Sequence, residues 1–130
     1  MIPKLSEAFI RRHATSQSLE RGQDYYQSGS VTSLIQRGKE LSAKVEGSEF
    51  EPYRISIGFN KGGVTSVFCT CPYDFEGWCK HIIATLLTCL HQPDRIEQRP
   101  ELTELLAPLT LEQLQLVLLK LVVHQLNFDQ

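Results

Sequence analysis

Thirteen consecutive positions, Cys69 to His81, hold three thiols and an imidazole as two pairs that each skip one residue: Cys69-Thr70-Cys71 and Cys79-Lys80-His81. Thiolate and imidazole are the donors that closed tetrahedral zinc sites use. Side chains alternate along a strand, so Cys69 and Cys71 project from one face and can grip one ion. Pro72 cannot donate to a ladder and is expected to end that strand. On a helix, positions two apart point nearly opposite ways. Cys79 and His81 therefore share an ion only if Cys79 sits at or before a helix start and His81 lies in its first turn. The apolar run Ile82-Ile83-Ala84-Thr85-Leu86-Leu87 supplies that helix. The spacing predicts one structural zinc ion held by Cys69, Cys71, Cys79 and His81.

Two other readings compete. A disulfide between Cys69 and Cys71 would close a small, strained ring, and the N-terminal residues have no apolar signal-peptide core that would imply an oxidising compartment. A nucleophilic dyad, with Cys79 attacking and His81 as base, leaves Cys69 and Cys71 without a task. Three thiolates, a neutral imidazole and a dication sum to a net charge of minus one. Lys80 and the positive end of the following helix would offset it.

The pattern Cys-x-Cys…Cys-x-His resembles the SWIM zinc finger, a family found beside Swi/Snf-type helicase ATPases, in Mutator-type transposases and in recombination mediators. Flanking residues extend the likeness: Pro72-Tyr73 after the first pair, Ile82-Ile83-Ala84 after the second, and Arg21-Gly22, Tyr25-Tyr26, Gly29 and Val31 upstream. The similarity spans residues 18–90. It implies a non-catalytic, zinc-stabilised interaction module. The implied partners are a protein, an adjoining ATPase domain, or DNA.

At 130 residues the chain is expected to form one domain around a single core, with a SWIM-like part over 18–90 and a helical segment over 100–127. Hydrophobic residues make up 42% of it, a normal globular share. No apolar run approaches bilayer-spanning length, and a cytoplasmic protein is expected. The formal charge of −2 gives no bulk attraction to nucleic acid, so DNA contact would need a local patch. Candidates for such a patch are Arg37, Lys39 and Lys61, on strand-connecting turns, and Lys80 beside the metal. A DNA-binding module acting on its own and a thiol enzyme using Cys79 and His81 stand as alternatives. No phosphate-binding loop followed by Lys-Ser/Thr is present, and no small-molecule substrate is expected.

Periodicity gives an α+β fold. Leu5, Ala8, Phe9 and Arg12 predict a first helix over residues 3–13, and Leu19, Tyr25 and Tyr26 a second over 18–28. Gly22 inside the second helix implies close packing, and Gly29 a left-handed stop. Alternation then predicts four strands over 31–36, 41–45, 53–59 and 64–71, joined by short turns into an antiparallel meander. The zinc site should join the last strand to a helix over 80–91, with further helices near 101–107 and 111–126. Thr110 and Gln113 form a capping box for the last. Its wide apolar face implies either burial in the core or a docking surface. In the loop between the ligand pairs, Trp78 is expected to pack over the metal, while Tyr73 and Phe75 could either pack or stack on a base. Asp74 and Glu76 have no evident catalytic task.

Overall fold

Two side-chain oxygens start the first helices in a computed structural model that describes residues 2–73 and 76–128. Ser6 Oγ accepts from the Phe9 N–H and caps α1 (Glu7–Arg12); Thr15 Oγ1 accepts from the Ser18 N–H and caps α2 (Ser16–Gln27). The first helix begins later than its apolar spacing predicts, because the Ser6 cap decides the start, and the side chain it buries is Ile10. Gly29 stops α2 with φ of +73°.

The chain then runs through β1 (Val31–Arg37), β2 (Glu40–Val45), β3 (Tyr53–Asn60) and β4 (Gly63–Cys69), each antiparallel to the next. Leu41 lies opposite Ile57, and Ile57 opposite Val67, so the inward face is a continuous apolar surface. β4 ends at Cys69, two residues short of the expected strand. Pairing persists one step further, since the Thr70 N–H donates to the Arg54 carbonyl and Thr70 Oγ1 accepts from the Arg54 N–H.

After α3 (Lys80–His91) and a 3-10 turn at Pro93–Arg95, a fifth strand, β5 (Glu97–Arg99), runs parallel beside β1. The expected four-stranded meander is thus part of a five-stranded mixed sheet ordered β4-β3-β2-β1-β5. β5 has only polar, exposed residues, which leave no hydrophobic period to read. Arg95 reaches back to donate to the Val31 carbonyl at 2.6 Å, tying the approach to β5 to the start of β1.

α3 is the central element. Every residue from His81 to Cys89 is buried, because the sheet covers one side and α1 and α2 cover the other. Its two interior hydroxyls are satisfied locally: Thr85 Oγ1 donates to the His81 carbonyl and Thr88 Oγ1 to the Ala84 carbonyl, both at 2.8 Å. Cys89 lies in this core, where burial pushes its thiol up to about 12. Gly22 is where α2 meets α3.

The chain divides at Arg99/Pro100 into two units, where the sequence alone reads as one domain. The second unit contains α4 (Leu102–Leu106) and α5 (Leu111–Phe128). The capping box forms as expected: the Thr110 N–H donates to Gln113 Oε1, and the Gln113 N–H donates to Thr110 Oγ1.

A Cβ at Gly22 would sit 2.5 Å from Ile83 Cγ2 and 3.2 Å from the Lys80 carbonyl oxygen. Ile83 is fully buried and cannot step aside. Gly22→Ala should therefore destabilise the first unit by about 1–3 kcal/mol, despite the roughly 1 kcal/mol gain in helix propensity. Chemical denaturation measures this; an unchanged or raised midpoint would show that α2 and α3 do not meet so closely.

Candidate metal centre

β4 and α3 deliver the four donors. Cys69 is the last residue of β4, and Cys71 follows just beyond the strand. Cys79 is the N-cap of α3, with extended φ and ψ of −73° and 164°, and His81 lies in the first turn. This is the arrangement that the one-residue spacing demanded. The four donor atoms lie within 4.8 Å of one another. His81 Nδ1 is 3.7 Å from Cys69 Sγ and 3.9 Å from Cys79 Sγ. In a tetrahedral zinc site, bonds of about 2.3 Å to sulfur and 2.05 Å to nitrogen place those two atoms about 3.6 Å apart. The cluster fits one structural zinc ion, with Nδ1 the ring atom turned toward the sulfurs.

The thiol electrostatics make the same point. Hydrogen bonds from Cys69 and then from His81 pull the Cys79 thiol down to about 4, against burial, which raises it. The Cys79 contact and burial push Cys69 far up, and burial raises Cys71. With no metal between them, the three sulfurs oppose one another's ionisation. A dication at the centre removes that opposition.

His81 is held by rings. Tyr53 stacks on it with centroids 4.1 Å apart, and Tyr25 meets it edge-on at 5.3 Å. The far nitrogen, Nε2, is buried without a hydrogen-bond partner among the described residues. The carboxylate or carbonyl that commonly orients a metal-bound imidazole is replaced here by an aromatic clamp. Gly47 makes room for it, since a Cβ there would come within 2.5 Å of the Tyr53 ring. The sequence marks Tyr53 only as a strand residue. The usable signal is register: Ile55 pairs with Cys69, so Tyr53, two residues earlier, falls on the same inward face toward Cys71.

The loop between the ligand pairs docks on α1. The Trp78 N–H donates to the His13 carbonyl at 2.8 Å, and the indole stacks on His13 at 4.3 Å and tilts against Phe9. Gly77, with φ of +78°, permits the approach: a Cβ would lie 2.7 Å from the His13 oxygen. Trp78 therefore packs, as expected, though on α1. Tyr73 closes the loop through its hydroxyl, which donates to the Glu76 carbonyl and meets Ser18 Oγ at 3.2 Å. Asp74 and Phe75 lie outside the described residues.

The basic candidates separate. The turns bearing Arg37, Lys39 and Lys61 gather at the end of the sheet away from Cys69, where the Phe59 N–H donates to the Lys39 carbonyl. Lys80 stands apart at the metal end, with Nζ 5.1 Å from the Tyr25 ring centre. Beside the metal centre a cleft of about 730 Å³ is lined by Cys71, Cys79 and His81 and flanked by Arg21 and Lys80.

Thiol alkylation separates the two kinds of cysteine. In metal-loaded protein all four should be protected. Chelation should open Cys69, Cys71 and Cys79 together, while Cys89 reacts only on global unfolding. Immediate modification of Cys79 in loaded protein would contradict the site as described.

Comparison with known proteins agrees with this geometry. Residues 53–90 match the SWIM zinc finger family model. Zinc finger SWIM domain-containing protein 8 of Homo sapiens is 29% identical over 107 residues, 79% of this chain and 6% of that protein. The Bos taurus protein is 29% identical over 107 residues, covering 79% and 8%. The Drosophila melanogaster homolog is 28% identical over 104 residues, covering 79% and 5%. The chain thus spans less than a tenth of the length of these relatives. No solved structure matches it significantly. The matched segment contains β3, β4 and all but the last residue of α3, with all four donors, so residues 53–90 of the chain are similar to a SWIM zinc finger.

Proposed function

We propose that this chain is a non-catalytic interaction module, an accessory part of a cytoplasmic, helicase-like DNA-transaction protein. In it a zinc ion on Cys69, Cys71, Cys79 and His81 fixes a surface for macromolecular partners. The observation that carries this reading is the four-donor cluster itself. A site filled by four protein ligands keeps no open position at which zinc could activate water. Cys79 is only 4% exposed, which counts against its use as an attacking thiol.

Protein binding leads. The cleft beside the metal offers a concave surface. In the second unit, α5 carries apolar residues around much of its circumference, with Leu118, Leu121 and Leu126 among its exposed side chains. Direct DNA binding is the second reading, favoured by the grouping of Arg37, Lys39 and Lys61 at one end of the sheet.

Pull-down with the full chain, metal-loaded and chelated, at about 50 and 200 mM salt tests both readings. Salt-tolerant capture of a defined protein, lost on chelation, is the expected result. Capture of DNA alone that falls steeply with salt would favour the second reading. Retention of every partner after chelation would overturn the role given to zinc.

A further inference from the structure

The sheet has two faces, and only one is used by the core. On the other, Ser56 of β3 lies opposite Phe68 of β4 and opposite Ser42 of β2, which in turn lies opposite Ile35. One step along the strands, Lys44 lies directly opposite Arg54. Phe68 is 60% exposed. Folding gives no reason for either feature. A ring that stays mostly in water gains little from burial, and like charges directly opposite on neighbouring strands are destabilising. Among the described residues neither Lys44 nor Arg54 has an ion-pair partner or a side-chain hydrogen bond.

We propose that this face binds single-stranded nucleic acid, with one base stacked on Phe68 above the serine floor and the backbone phosphates on Lys44 and Arg54. The register supports the match. Arg54 is the diagonal cross-strand neighbour of Phe68, about 7–8 Å away, which suits a base and a phosphate joined through one sugar. The small side chains of Ser42 and Ser56 leave room beside Phe68 for a flat ligand. Single strands expose base faces to such platforms, whereas a duplex keeps them stacked away.

Of the acids on this face, Glu97 is held by Arg99 at 2.8 Å and Glu40 lies opposite Arg37, while Glu46, two residues beyond Lys44, is the acid nearest the proposed phosphate contacts. Phe50, fully exposed in the β2–β3 loop, is flanked by Glu49 and Glu51 and is left out of the site. The inference rests on the reading of the chain as a non-catalytic interaction module and names one of its ligands.

Fluorescence anisotropy of the full, zinc-loaded chain with labelled oligothymidylate, oligouridylate and a DNA duplex tests it. Single strands should bind more tightly than the duplex, and the two single strands will show whether DNA or RNA is preferred. Phe68→Ala should weaken binding at least about fivefold, and Phe68→Trp should restore it. Lys44→Ala and Arg54→Ala should each lower the slope of affinity against salt by about one unit. Phe50→Ala should change nothing. All four positions are exposed, so unchanged melting and zinc content in the variants will show that folding is intact. Absence of single-strand binding, a duplex preference, or equal losses in the Phe50 and Phe68 variants would each overturn the proposal. Such a failure, with zinc-dependent protein capture intact, would leave the wider reading standing.

Discussion

A strand end and a helix start must be brought to the same point, and four donor atoms from two short segments make that junction. Cys69 ends the last strand of the meander and Cys71 lies just beyond it, while Cys79 and His81 come from the opening of the central helix. Without a metal, three sulfurs this close oppose joint ionisation, which raises the Cys69 thiol and lowers that of Cys79. Structural zinc contributes about 10–16 kcal/mol in small zinc-dependent folds, as large as the whole stability of a typical domain, about 5–15 kcal/mol. The Tyr53–His81 stack is worth about 0.5–1.5 kcal/mol beside it. The ion sets whether the junction exists; the aromatic clamp sets how the imidazole is oriented.

From that junction the remaining packing follows. α3 leaves the metal into the space between the sheet and the helical pair α1 and α2, and so is buried on both sides. Gly22 lets α2 approach, and Gly77 lets the metal loop rest on the His13 carbonyl. The loop, the first helix and the metal thus form one connected unit. The outer face of the sheet takes no part in it.

Local chemistry was legible in the sequence and long-range placement was not. The four donors, the extent of α3, the capping box at Thr110 and Gln113, the tight approach at Gly22 and the stop at Gly29 each follow from residue type and spacing within a few positions. β5 was illegible because three polar residues have no hydrophobic period, and what places the strand is a partner more than sixty positions earlier. The clamp on His81 needed the register between β3 and β4, which alternation alone leaves open by one residue. The same limit applies to the outer face: Lys44, Arg54 and Phe68 read separately as ordinary exposed residues, and only strand pairing sets them side by side.

X-ray absorption at the zinc edge, combined with metal analysis of the purified chain, tests the junction most directly. One zinc per chain should be found, with three sulfur neighbours near 2.3 Å and one nitrogen near 2.05 Å. A substoichiometric metal, or a first shell containing water oxygen or lacking one of the three sulfurs, would contradict the account.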